Sequence, residues 1–162
     1  SAYRQLRELL TTFRLRVENE GLGQALQSTV AEFSARGGIP IALEVRLAGC
    51  PLSANEEIHT LQIVREALSN VLNHARAQQA RVEVVCEDDG SVSATVADDG
   101  VGIQRPAGAH HYGMIIMEER AKHLGGRLTV ESLPVRGARV TLHFTPSASR
   151  DGSLATRPAQ PA

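Results

Sequence analysis

The sequence predicts an α+β fold: a two-layer α/β sandwich, with a mixed sheet and helices on one of its faces. Three observations carry this expectation. Apolar residues recur at helical spacing in four segments and alternate, strand-like, in five others. The segments follow the order ααβαββαββ, which places hairpins between strands rather than a helix after every strand. At 162 residues the chain is long enough for one domain with a proper core and short for two.

The elements follow in order. Leu6, Leu9, Leu10, Phe13 and Val17 lie at helical spacing among Arg and Glu. Tyr3 to about Val17 therefore reads as a helix, whose stripe needs cover from a partner helix or from the domain itself. After a break at Gly21 and Gly23, QALQSTVAEFSARGG reads as a second helix ending at Gly37 and Gly38. Pro40 leads into a strand, IALEVRLAG. Ser53 and Asn55, followed by Glu56 and Glu57, cap a long helix from about Asn55 to Ala77.

RVEVVCE and SVSATVAD form two strands around the turn Asp88-Asp89-Gly90. A Gly-bearing loop from Asp98 to Tyr112 precedes the helix MIIMEERAKHLGG, in which Ile115, Ile116, Ala121 and Leu124, with Met114 and Met117, are the expected core contacts. A final hairpin pairs RLTVESL with ARVTLHF through a turn holding Pro134 and Gly137. Residues 147–162, polar and without periodicity, are expected to be disordered.

Composition narrows the function. A net charge of −1 and the lack of a basic stripe argue against direct nucleic-acid binding, and the absence of Trp removes the strongest stacking platform. Cys50 and Cys86 stand outside any C-x-x-C spacing and are expected to be free buried thiols. No apolar run is long enough to span a bilayer.

Three stretches hold side chains able to do chemistry. In VREALSNVLNHARA, helical spacing stacks Glu66, Asn70 and His74 in one row at the margin of the apolar sector formed by Leu61, Val64, Leu68, Val71, Leu72 and Ala75. The row is either a flank of locally bonded polar residues or the wall of a site. In VADDGVGI a strand ends at Asp98, and Gly100 and Gly102 allow close backbone turns. An acceptor-only carboxylate there can receive an exocyclic amine from a flat ring, although an Asp- and Gly-rich turn needs no ligand.

In HHYGMIIMEERAKHLGG, Gly113 stands directly before a helix, where free N–H groups can hold phosphate or simply join loop to helix. The pair His110-His111 lacks an evident third metal ligand. Neither a G-x-x-x-x-G-K-[ST] loop nor G-x-G-x-x-G occurs, and no G-x-S-x-G elbow supports a hydrolase.

The succession REALSNVLNHA, VADDGVGI, HYGMIIMEERAKHLGG and GARVTLHF resembles the asparagine box, the two glycine boxes and the terminal box of histidine kinase ATP-binding domains. Those domains share the Bergerat fold of the GHKL ATPases. The resemblance covers roughly Gly21 to Pro146, and the phrases RELLTTFRL, REALSN and HYGMIIM look similar to nitrate/nitrite sensor kinases.

The resemblance implies ATP and Mg²⁺ as cofactors, with Asn70 coordinating the metal and Glu66 orienting its water or helping the attacking group lose a proton. It implies an ATP site of Asn70, His74, Ala75, Asp98, Gly100, Gly102, Ile103, Gly113 and Met114. In it, Asp98 accepts the adenine amine, and Gly113 and Met114 hinge a lid over the triphosphate.

The chain departs from the family pattern in two places. A hydroxyl residue commonly follows the glycine of the last box, whereas Gly137 is followed by Ala138. The family's phosphoacceptor histidine is followed at once by Asp or Glu, and none of the six histidines here is. The resemblance thus implies a division into residues 1–18, the end of a dimerisation helix pair, 19–146, the catalytic domain, and 147–162, a disordered tail.

The expected partners are upstream phosphoacceptor helices and a response regulator. The whole protein is expected to be a homodimeric bacterial inner-membrane sensor with this domain in the cytoplasm, reaching the membrane only through upstream segments. Two other readings share the boxes: a freestanding serine kinase of the anti-sigma type, and a nucleotide-binding module without catalysis.

Overall fold

The computed structural model describes residues 21–103 and 109–155, so the stripe through Leu6, Phe13 and Val17 lies outside the described residues. Helix α1 occupies residues 21–37 and runs through Gly21 and Gly23, where a break was expected. It ends at Gly38, whose φ of +67° provides the left-handed residue that closes a helix. Strand β1 (Ile41–Arg46) follows, then α2 (Ala54–Asn70). Ser53 and Glu56 close a reciprocal capping box on α2: the Ser53 Oγ accepts from the Glu56 N–H at 3.1 Å, and the Glu56 carboxylate accepts from the Ser53 N–H at 2.9 Å.

Helix α2 does not continue regularly to Ala77. It passes at Val71–Ala75 into a π-helical turn that ends at Arg76. Strands β2 (Ala80–Cys86) and β3 (Val92–Asp98), helix α3 (Ala109–His123), strands β4 (Arg127–Ser132) and β5 (Ala138–Phe144), and helix α4 (Ser147–Ala155) complete the fold. The sheet order is β1-β2-β3-β5-β4, with β1 and β2 parallel and every other pair antiparallel. It is the mixed sheet the element order predicted.

Period-two alternation gives the sheet one dry face. Val82 and Val84 of β2, Val92, Ala94 and Val96 of β3, and Leu142 and Phe144 of β5 are buried in a single cluster. Leu22, Leu26 and Phe33 of α1, Leu61, Val64 and Leu68 of α2, Met117 and Ala121 of α3, and Leu124 directly after it join that cluster. The opposite face carries a charge ladder in which Arg81 bonds both Glu83 and Glu44. In α3 the inward positions are Met117 and Ala121, followed by Leu124 just past its end, whereas Ile115 and Ile116 are exposed, contrary to expectation. Hydrophobicity alone does not decide burial.

Two further expectations are corrected. Residues 147–155 are not disordered but form α4. A helix this short and polar is marginal by itself. The Glu56 carboxylate holds its first residue by accepting from the Ser147 N–H at 3.0 Å. Residues 156–162 lie outside the described residues.

Cys50 and Cys86 are not free thiols but a disulfide, with their Cα atoms 5.7 Å apart. Parallel pairing of β1 with β2 sets Arg46 beside Val85, and the turn after β1 brings Cys50 back to the end of β2. The bond closes a segment of 36 residues, so reduction is expected to cost about 4 kcal/mol through the entropy of the unfolded chain. A thermal melt with and without dithiothreitol checks this. The reduced protein melts about 10 °C lower, and coincident melts would show that the bridge does not form in solution.

Candidate nucleotide site

A cavity of about 540 Å³ opens at the end of the core where α2, the π turn, β3, β5 and α3 converge. Asn70, His74 and Ala75 line it from the helical side, and Asp98, Gly102 and Ile103 from the end of β3. Met114 lines it from α3. The fold thus brings seven of the nine residues that the resemblance implied to one cavity. The other two, Gly100 and Gly113, are packed behind its walls.

The Asp98 end is built tightly. Asp98 follows the inward parity of β3, so its carboxylate points to the core side and is only 9% exposed. Its Oδ1 accepts from the Gly100 N–H at 2.8 Å, and the Ala138 N–H also faces the carboxylate. Burial pushes the Asp98 carboxyl above its ordinary range, against the opposing pull of those two N–H groups. Ala138, which lacks the hydroxyl common at this position, thus meets Asp98 through its backbone.

A Cβ on Gly100 would run into the carbonyl and Cβ of Ala75, so only glycine lets the loop reach the helix. The Val101 N–H donates to that carbonyl at 2.8 Å. The π turn explains why the carbonyl is available, because its wider hydrogen-bond pattern interrupts the regular ladder of α2. Further on, the Ile103 N–H donates to the Ser132 Oγ at 3.1 Å. Asp99 does not line the cavity. It accepts from the Gln78 and Gln79 N–H groups at 2.8 and 3.0 Å, bonds that hold its carboxyl below the ordinary range and pin the chain leaving the π turn.

The other end differs from expectation in one respect. Gly113 is not the residue before the helix: α3 begins at Ala109, so Gly113 lies inside it, and its N–H is not among the free ones of a first turn. What glycine provides there is proximity. A Cβ on Gly113 would meet the Glu66 carboxylate and come within 3.6 Å of the Asn70 amide. Glu66 thus sits behind Asn70 under α3 and does not itself line the cavity.

His110 and His111 fall in the first turn of α3, and among the described residues no three His, Cys, Asp or Glu side chains gather as a metal cluster. The walls between the ends are apolar, with Val71, Val96, Val101, Val130 and Val140. Alternation could have assigned Val96, Val130 and Val140 to this wall. Arg76 and Asn73, which also line the cavity, depend on the π turn and had no signal in the sequence.

A cavity with valine-lined walls, an amine acceptor in Asp98 and an amide in Asn70 with the Glu66 carboxylate nearby fits a flat heterocycle carrying phosphates. The comparisons agree. The family model of histidine kinase-, DNA gyrase B-, and HSP90-like ATPases matches residues 55–148. The chain is 42% identical over 147 residues to the nitrate/nitrite sensor protein NarX of Escherichia coli (strain K12), a match that covers 90% of this chain and 24% of NarX.

It is 31% identical over 141 residues to the sensor histidine kinase LiaS of Bacillus subtilis (strain 168), covering 86% of this chain and 38% of LiaS. The blue-light activated histidine kinase EL346 of Erythrobacter litoralis has the same fold, with a TM-score of 0.66 at 21% identity over 79% of this chain and 46% of that one. The chain spans about a quarter of the length of NarX. Among the described residues no helix is long and apolar enough to cross a membrane.

Proposed function

Because the chain belongs to the histidine kinase-, DNA gyrase B-, and HSP90-like ATPases, we propose that it is the ATP-binding catalytic domain of a sensor histidine kinase. In this reading it passes the γ-phosphoryl of ATP to a histidine outside these 162 residues, from which a response-regulator aspartate receives it. The stimulus of the whole protein is nitrate or nitrite, a reading supported by the 42% identity to NarX. The whole protein is a homodimer that carries this domain on the cytoplasmic side of a bacterial inner membrane.

A single observation carries the nucleotide reading: Asp98 and Asn70 line the same cavity. Asp98 accepts the exocyclic amine of adenine, and the valines cover the ring. Gly100 and Gly102 let the backbone approach, and His74 and Asn70 continue toward the phosphates. Mg²⁺ when bound neutralises phosphate charge, and the residues present fit it. Asn70 would offer such an ion one oxygen ligand, with Glu66 behind it. From there Glu66 would hold a water in place or help the attacking group lose its proton. Gly113 and Met114 bring α3 over the phosphate end.

Asn70→Asp is expected to leave the fold intact and to shrink the affinity gained from Mg²⁺ by about tenfold or more. Calorimetry with a non-hydrolysable ATP analogue, with and without the metal, measures it. An unaltered metal dependence would remove Asn70 from the site. The activity itself is tested by adding a separately made acceptor-helix fragment and labelled ATP. Acid-labile, base-stable phosphate on that fragment is the expected product. Phosphate that survives acid on the serine of a soluble partner would instead mark a serine kinase.

A further inference from the structure

Arg76 ends the π turn with φ +50° and ψ +39°, and it is the sole non-glycine with positive φ among the described residues. Left-handed backbone is unfavourable for a side chain of this kind, and glycine would close the helix without that cost. Arg76 nevertheless stands there, exposed, and lines the cavity. Its place along the slot follows from its neighbours. The preceding carbonyl, of Ala75, accepts from Val101, and Gly100 packs on the same residue, so Arg76 belongs to the Asp98 end. The phosphate end, where Gly113 meets Glu66 and Asn70, lies at the opposite side of the π turn.

We propose that Arg76 is a specificity-determining residue that lays its guanidinium over the face of the base whose amine Asp98 holds. The inference rests on the adenine-nucleotide reading of the cavity. A guanidinium is planar and weakly hydrated and stacks on aromatic rings, whereas the remaining cover at this end is aliphatic. Asp98 reads the edge of the ring and Arg76 its face. Together they select a flat, amine-bearing heterocycle independently of how many phosphates follow.

The test is calorimetry with adenosine, ADP and a non-hydrolysable ATP analogue on the unmodified domain, Arg76→Gln and Arg76→Gly. Both variants are expected to weaken all three ligands by the same factor, about 3- to 30-fold. Arg76→Gly is also expected to raise the melting temperature of the free domain by about 2–4 °C, because glycine relieves the backbone.

Equal affinities for variant and unmodified domain would overturn the proposal and leave Arg76 as a helix end. A loss that grows from adenosine to ATP and shrinks with salt would overturn it in favour of a phosphate contact. If the unmodified domain bound none of the three, the nucleotide reading would fall first and the role of Arg76 with it.

Discussion

Asp98→Asn is expected to lower the affinity for ADP and for a non-hydrolysable ATP analogue by at least about 100-fold, while the domain stays folded. The reason is a count of donors. Three converge on this side chain: the Gly100 N–H at 2.8 Å, the Ala138 N–H, and the amine of the ligand. A carboxylate has lone pairs for all three, and an amide has one accepting oxygen. However the substituted amide turns, its NH₂ faces either a backbone donor or the ligand. The loop bonds exist before ligand arrives, so the ligand meets the mismatch.

Stability moves differently. Burial raises the Asp98 carboxyl, so the folded domain binds more protons than the unfolded chain between the ordinary and the raised value. The contribution of Asp98 therefore falls as pH rises through that window. The Asp98→Asn substitution removes this dependence, and at neutral pH the variant is expected to melt no lower than the unmodified domain. Calorimetry and thermal melts on one preparation separate the two effects. Undiminished binding by a well-folded variant would refute the adenine role of Asp98.

Local rules placed the site's residues on their elements, and the resemblance of the four motifs in order assigned their roles. Alternation through Val92, Ala94 and Val96 fixes which face of β3 Asp98 occupies, and four-residue spacing sets Glu66 beneath Asn70. Ser53 and Asn55, with Glu56 and Glu57 after them, announced where α2 begins. Where partners lie far apart in sequence, local rules had nothing to grip. The Cys50–Cys86 bridge depends on how β1 registers against β2, and α4 depends on Ser147 finding Glu56 across 91 residues. The π turn breaks the ideal helical period on which the row through His74 was drawn, and with it went Arg76. Gly113 was misplaced by one turn of α3 because a glycine near a helix start reads as its boundary.

Gly137→Ala is expected to cost about 4 kcal/mol of stability and to weaken nucleotide binding in the same protein. Gly137 closes the β4–β5 turn with φ +95°, where any side chain is strained. Its added Cβ would also collide with the Asp98 backbone carbonyl and lie against the Asp99 Cα. Neither neighbour can give way cheaply: both belong to backbone, one at the end of a paired strand and the other pinned by Gln78 and Gln79.

Relief requires the turn to withdraw from β3, which carries Ala138 away from the Asp98 carboxylate and removes one of its donors. Gly38→Ala is the control, since Gly38 has a similar left-handed φ of +67° but nothing within 4 Å of a new Cβ. Strain alone then costs about 1 kcal/mol, with nucleotide affinity unchanged. Urea titrations of both variants measure the difference, and calorimetry follows the site. Equal costs would mean that the turn yields freely, and that the contact between Gly137 and Asp98 does not hold the acceptor in place.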